Sequence, residues 1–263
     1  MKTVELAFNA YGNPASPPLL ILHGLFASSR NWHTLAMHFA SVFRVFALDL
    51  RNHGASPRAK PIDYPHMVAD ILVFMDHHHL KRASLIGHSM GGKAAMWLAL
   101  EASQRVDRLI VADIAPVAYG HSYAETLLSL KRLPLADIAS RKEADLWLGD
   151  SIPDPRIRQF LLQNLVLKDG VYDWRIDLDV LHEDSHFILG FPEVEEGKQF
   201  EGSTLFLEGE RSTYVLPEHL PLIRRLFPHA CVKTLVDAGH WLHADRPEHF
   251  AARAMEFLRG DAP

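Results

Sequence analysis

The string Gly87-His88-Ser89-Met90-Gly91 sets a hydroxyl between two glycines, directly after the apolar run 83–86 and before a helical pattern over 91–102. On so tight a strand-to-helix turn the backbone is strained and its neighbours approach too closely for side chains at the flanks, so glycine is needed on both sides. The chemistry such a serine serves is nucleophilic attack on an acyl carbon. That attack requires a base within hydrogen-bond reach, because serine alone is a poor nucleophile at neutral pH. Of 17 histidines, His240 is the best placed: in DAGHWLHADRPEHF it follows the last strand-like run and precedes a helix. His243 is the near competitor, but it lies closer to that helix.

The elements that must hold these groups alternate. Residues 3–8 read as an alternating strand, 19–22 as a short buried strand ending at His23-Gly24, 31–40 as a helix, and 43–48 as a buried strand ending at Asp49. Over 64–80, Met67, Val68, Ile71, Leu72 and Met75 recur at the spacing of one buried helical face. The run 106–112 is a further strand ending at Asp113. Strict alternation argues for a doubly wound, mostly parallel sheet, whose functional groups gather at the carboxyl ends of the strands. From 116 to about 192 the pattern changes to helices (123–133, 137–148, 155–167, 178–189) with an Asp169-Gly170 turn among them, as expected of a cap over the strand ends. Alternation resumes with the strand 204–208, the helix 217–227, the strand 231–236 and a closing helix over 247–258.

Composition is that of a globular enzyme-sized chain: 263 residues, 48% hydrophobic and 22% charged, enough for one core with an insertion. The formal charge of −5 includes no basic run able to track a nucleic-acid backbone, so no nucleic-acid partner is expected. Cys231 is the only cysteine, which excludes an internal disulfide and suits a reducing compartment. The first residues alternate and lack an apolar signal region, and no run approaches the ~18–20 apolar residues of a membrane span. A soluble cytoplasmic protein without stable membrane insertion is the expectation.

The segments HGLF (23–26), DLRNHGAS (49–56), GHSMGGKAA, ADIAPV (112–117), DGVYDWR (169–175) and AGHWLH together resemble the α/β-hydrolase superfamily. They are most similar to small bacterial YbfF-type esterases related to abhydrolase domain-containing protein 11, over nearly the whole chain. The resemblance implies an α/β-hydrolase core over 1–115 and 193–263, with a helical cap over 116–192 inserted after the sixth strand. It also implies a small-molecule ester substrate of short to medium acyl length, acyl-CoA thioesters as a further class, and no cofactor or metal.

In many such hydrolases the acid of the catalytic set follows the strand that is here 204–208, and that place holds Ser212. A serine can orient an imidazole but brings no charge to stabilise the imidazolium. The fold offers a second place at the end of the preceding strand, so Asp113 is the expected acid, after Ser89 and before His240 in the chain. Glu208, Glu210 and Asp237 are weaker candidates, Asp237 being too near His240 in sequence to reach its far ring nitrogen. The oxyanion hole is expected from the backbone N–H groups of Met90 and Leu25, with Phe26 next in line. Phe26, Phe187 and Trp241 are candidates for the acyl pocket, with core packing the alternative for each.

Other polar groups read more simply. Asp49, Arg51 and His53 form a dense cluster whose expected role is to brace the nucleophile turn. His77, His78 and His79 end a helix, where cations are favoured, and are expected in solvent. Lys93 is expected to be solvated or ion-paired, with a substrate carboxylate or phosphate as the alternative partner. Among cap cations, Lys131, Arg132, Arg141, Lys142, Arg156 and Arg158 could meet CoA phosphates, a solvated face being the plainer reading. Ser89 argues against dehalogenases and epoxide hydrolases of this fold, which use an aspartate at the same turn. A C–C bond hydrolase shares the Ser/His/Asp set, and a small-molecule-binding protein without useful turnover is the alternative from another class.

Overall fold

Period-two alternation divides each central strand between two buried layers. Leu20, Leu22, Phe46, Leu48 and Leu85 face one layer, and Leu19, Ile21, Val45, Ala47 and Ile86 the other. The computed structural model describes residues 1–260 and arranges the strands β1 (Phe8–Tyr11), β2 (Pro18–Leu22), β3 (Arg44–Leu48), β4 (Ala83–His88) and β5 (Val106–Ala112) before a long insertion. The insertion carries β6 (Leu165–Lys168) and β7 (Val171–Trp174), and β8 (Ser203–Gly209) and β9 (Ala230–Leu235) follow it. The main sheet runs β1-β3-β2-β4-β5-β8-β9, with β1 antiparallel and the remaining neighbours parallel.

Helices α1 (His33–Phe39), α2 (Tyr64–His77) and α3 (Met90–Glu101) alternate with these strands. Helix α2 starts where Asp63 accepts from the His66 N–H and Pro65 occupies the first turn, both ordinary start signals. The insertion contributes α4 (Ala124–Arg132), α5 (Arg141–Leu148), α6 (Pro155–Leu162), α7 (Leu178–Glu183) and α8 (Ser185–Leu189); α9 (Leu220–Leu226), α10 (Leu242–Asp245) and α11 (Pro247–Arg259) close the chain. Leu127, Leu130, Leu148 and Leu161 of the insertion share one buried cluster with α2, α3 and the sheet.

Two expectations are corrected. The first strand is Phe8–Tyr11, not 3–8, and five strands precede the insertion rather than six. The cause lies in partners distant in sequence: the Val4 N–H donates to Asp70 Oδ1 at 2.8 Å and the Ala7 N–H to Ser56 Oγ at 2.8 Å, so these donors go to side chains instead of a ladder. The insertion is mostly helical and also carries β6 and β7, which pair antiparallel around the Asp169-Gly170 turn. At the end of α2, His77 and His79 are exposed as expected, whereas His78 packs against Phe8, Phe46 and Phe74. No helix among the described residues is long and apolar enough to cross a membrane.

Arg51 holds this half of the fold together. Its guanidinium meets Asp70 through Nε (2.7 Å) and Nη2 (2.8 Å), and both side chains are fully buried. A further bond runs to the Pro61 carbonyl at 2.7 Å. Removing one partner of a buried pair leaves an uncompensated charge, so Arg51→Ala should lose about 3–5 kcal/mol of stability in denaturant unfolding, while the apolar pair Arg51→Met/Asp70→Leu should recover most of it.

Candidate active site

Strand register alone brings the serine and the aspartate together. His88 of β4 pairs with Ala112 of β5, and Ala112 with Leu207 of β8, so Ser89 and Asp113 each lie one residue past paired positions. The Ser89 N–H donates to the Ala112 carbonyl (3.1 Å) and the Asp113 N–H to that of Leu207 (2.8 Å). Ser89 has φ 52° and ψ −118°, a strained conformation for a residue with a side chain, and it sits directly before α3. Flanking glycines are obligatory here: a Cβ on Gly87 would lie 2.3 Å from the Gly91 carbonyl oxygen, and one on Gly91 would lie 2.3 Å from that of Leu22.

His240 joins the two. Its Nε2 lies 3.1 Å from Ser89 Oγ and its Nδ1 lies 2.7 Å from Asp113 Oδ2. Asp113 is fully buried, and its carboxylate also accepts from the Gly209 N–H at 2.9 Å and from the Ser212 hydroxyl. Ser212 therefore donates to Asp113 and makes no hydrogen bond to His240. The other candidate acids point elsewhere: Glu208 accepts from Thr234 Oγ1, Glu210 from the Asp237 N–H, and Asp237 pairs with Arg246. His243 is half-buried, stacks on the Trp32 indole with centroids 4.4 Å apart, and makes no hydrogen bond to Ser89. Two neighbours of His240 carried no recognisable signal of spacing: Tyr214 stacks on its ring at 3.9 Å, and His88 Nε2–H donates to its carbonyl at 2.8 Å.

The loop after β2 presents Leu25 beside the serine. Among the described residues neither the Leu25 N–H nor the Met90 N–H donates to a protein acceptor, whereas the Phe26 N–H is taken by His53 Nε2 at 3.2 Å. That separates the first two from the third as free donors. Of the cluster expected to brace the nucleophile turn, Asp49 and His53 brace this loop instead, and Arg51 turns away to Asp70 and the Pro61 carbonyl. Asp49 accepts from the Ser29 N–H (2.7 Å), and His23 Nε2 accepts from the Leu50 N–H (3.0 Å). Each imidazole must be neutral at Nε2 to accept, with its Nδ1–H given to a carbonyl: Gly24 for His23 and Arg51 for His53.

A cavity of about 540 Å³ opens over Ser89 and His240. Phe26 and Trp241 line it as expected, and Tyr123, Ile157, Phe160 and Tyr214 line it from segments with no advance signal. Phe160 of α6 meets Trp241 with centroids 5.3 Å apart, so insertion and core close on each other across the cavity. Phe187 lies outside: it is 42% exposed and its ring rests at a tilt against His186. Lys93 is neither solvated nor ion-paired. Buried in α3, it donates to the Leu189 carbonyl (2.7 Å) and the Gly190 carbonyl (2.6 Å), and burial lowers its pKa to about 7.

Four imidazoles around this site, three buried and His243 half-buried, have lowered pKa values. Burial is the main cause in each, taking His53 and His243 to about 3, lowering His23, and holding His88 well below the ordinary range. The unfolded chain protonates them near 6.5, so between about pH 6.5 and 3 it binds more protons than the folded protein and stability falls as pH falls. Urea unfolding at about pH 7.5, 6 and 5 should show a decline of up to about 1.4 kcal/mol per pH unit per histidine. His243→Phe, which keeps a ring on Trp32, should decline less steeply; an unchanged slope would contradict the assignment.

A family model described as the alpha/beta hydrolase fold matches residues 17–247. The sn-1-specific diacylglycerol lipase ABHD11 of Mus musculus is 39% identical over 267 residues, covering 98% of this chain and 86% of that protein. Esterase YbfF of Escherichia coli is 33% identical over 259 residues, covering 98% of this chain and 99% of that one. Among solved structures, a marine microorganism esterase superimposes with a TM-score of 0.93 at 37% identity, covering 97% of this chain and all of that one. With matches running through both the sheet and the insertion, the chain belongs to the α/β-hydrolase family, in its YbfF-type esterase group.

Proposed function

We propose that this protein is a serine esterase acting on short- to medium-chain acyl carboxylic esters, with acyl-CoA thioesters as a further class, through Ser89, His240 and Asp113. The protein is a carboxylic ester hydrolase, and the observation carrying the finer reading is the continuous chain Ser89 Oγ–His240–Asp113, at 3.1 and 2.7 Å, on the floor of a cavity with aromatic walls. In this reading 1–115 and 193–263 form the core, 116–192 the cap, and the protein works in the cytoplasm without a cofactor.

Ser89 Oγ attacks the ester carbonyl carbon as its proton passes to His240 Nε2. The carbonyl oxygen becomes an oxyanion held by the Leu25 and Met90 N–H groups, donors that need no reorganisation. His240 then protonates the departing alkoxide or thiolate, leaving an acyl-enzyme on Ser89. Water attacks that acyl carbon while giving a proton to His240, which returns it to Ser89 Oγ as the acid is released. Asp113 holds Nδ1–H toward itself throughout and balances the imidazolium charge, with the Gly209 N–H and the Ser212 hydroxyl donating to the same carboxylate.

The deciding measurement is kcat/KM across p-nitrophenyl esters from acetyl to decanoyl. Ser89→Ala should lower kcat by roughly six orders of magnitude and Asp113→Asn by about 10⁴-fold. Ser212→Ala, which removes one donor to a carboxylate that keeps two, should cost only about tenfold. Near-normal Asp113→Asn with crippled Ser212→Ala would reverse the assignment of the acid. Activity no greater than that of Ser89→Ala on every ester would move the reading to C–C bond hydrolysis.

A further inference from the structure

Beside the catalytic cavity lies a second one of about 210 Å³, and three arginines line it: Arg30 from the loop after β2, Arg141 at the start of α5, and Arg175 just after β7. The two cavities share Phe26, Asn31 and Gln163 as a common wall. Part of that wall is one hydrogen bond between core and cap, Asn31 Nδ2 to Gln163 Oε1 at 2.9 Å, and Asn164 Nδ2 donates to the Phe26 carbonyl beneath it at 2.7 Å.

Guanidinium groups this close repel unless an anion is shared among them. Among the described residues none of the three has a carboxylate within ion-pair distance, and the side chains of Arg30 and Arg175 make no hydrogen bond at all. Arg141 is anchored to the Leu165 carbonyl through Nε and Nη2 at 3.1 and 2.7 Å. Elsewhere on the cap, Lys131 pairs with Asp179, Arg156 with Asp154 and Arg158 with Asp145. Burial, then Arg30, lowers the pKa of Arg175, with Asp49 opposing and Arg141 adding to the effect, which shows the groups to be mutually within electrostatic reach. Asp49 is within electrostatic reach of Arg175 but forms no ion pair with any of the three, its two oxygens accepting from the Ser29 and Ala55 N–H groups.

We infer that Arg30, Arg141 and Arg175 form an anion subsite of the catalytic cavity, taking a carboxylate or phosphate carried by the ester substrate at a distance from its reacting carbonyl. The inference rests on the reading of Ser89 as the esterase nucleophile. Planar guanidinium groups suit an oxyanion with two or three oxygens in a way that solvated lysines do not. The substrate class thereby narrows to esters that bear a distal negative charge, in either the acyl or the alcohol part.

Two matched substrate pairs distinguish the parts. Mono-p-nitrophenyl esters of dicarboxylic acids from succinate to suberate, measured against p-nitrophenyl alkanoates of equal chain length, place the anion in the acyl part. Monobutyrylglycerol 3-phosphate against monobutyrylglycerol places it in the alcohol part. In at least one pair the ratio of kcat/KM, anionic over neutral, should fall by about 10- to 100-fold in Arg30→Gln/Arg175→Gln, mostly through KM. The same ratio in the unaltered protein should fall as salt is raised. Arg30→Gln alone, a change at an exposed side chain, should lower it in the same direction should the double variant fold poorly. Ratios within about twofold of the unaltered protein's in both pairs would overturn the subsite. If the unaltered protein exceeds Ser89→Ala on no ester, the esterase reading is what has failed. Calorimetric binding of suberate and glycerol 3-phosphate to the protein with and without the two substitutions then decides the subsite: binding lost on substitution supports it, and no binding to the unaltered protein overturns it.

Discussion

A carboxylate with no exposure to water must find its hydration in the protein, and that requirement at Asp113 organises the molecule. Three donors meet it: the Gly209 N–H at the end of β8, the Ser212 hydroxyl in the loop beyond, and Nδ1–H of His240 in the loop after β9. Losing any of them would strand charge in a region of low dielectric, so three separate segments are held to the end of β5 by a common cost. The strand register then decides what they are held beside. Since His88 pairs with Ala112, a histidine bound to Asp113 also faces Ser89.

The place of the proposed acid, Asp113, follows from the same geometry. Adjacent parallel strands end at nearly the same level, so a loop after β9 can reach the end of β5 or of β8 with little change in path. With Asp113 buried at the former, a second carboxylate at 212 would repel it, while a hydroxyl donates to it. Serine is the residue this position needs once the charge has moved one strand over.

Local signals made most of this legible in the sequence. Period-two and period-3.6 patterns gave the strands and helices around Ser89, and the glycines at 87 and 91 marked the strained turn because nothing larger fits against Leu22 and Gly91. His240 was legible because it directly follows the last strand, with His243 lying closer to the final helices. What stayed hidden depended on contacts distant in sequence. The first strand slides to Phe8–Tyr11 because Val4 finds an acceptor 66 residues away in Asp70. Phe160, not Phe187, faces the cavity because of how α6 and α8 lie, and short cap helices with mixed faces do not announce that orientation. His78 was expected in solvent, but aromatic neighbours from β1 and β3 cover it.

The cap differs from a detachable lid in one respect that bears on specificity. Its apolar residues belong to the same buried cluster as α2, α3 and the sheet, and Lys93, four residues past the nucleophile, ends on the carbonyls of Leu189 and Gly190 where the cap returns to the core. Phe26 shows the consequence at atomic scale. Its ring forms part of the cavity wall, its N–H is held by the neutral His53, and its carbonyl is held by Asn164 of the cap. The residue before it, Leu25, carries one of the two free N–H groups next to Ser89. In the proposed mechanism, a cap that shifted to admit a larger ester would therefore pull on the backbone that positions the Leu25 N–H, coupling substrate size to the electrostatics of attack through a single peptide segment.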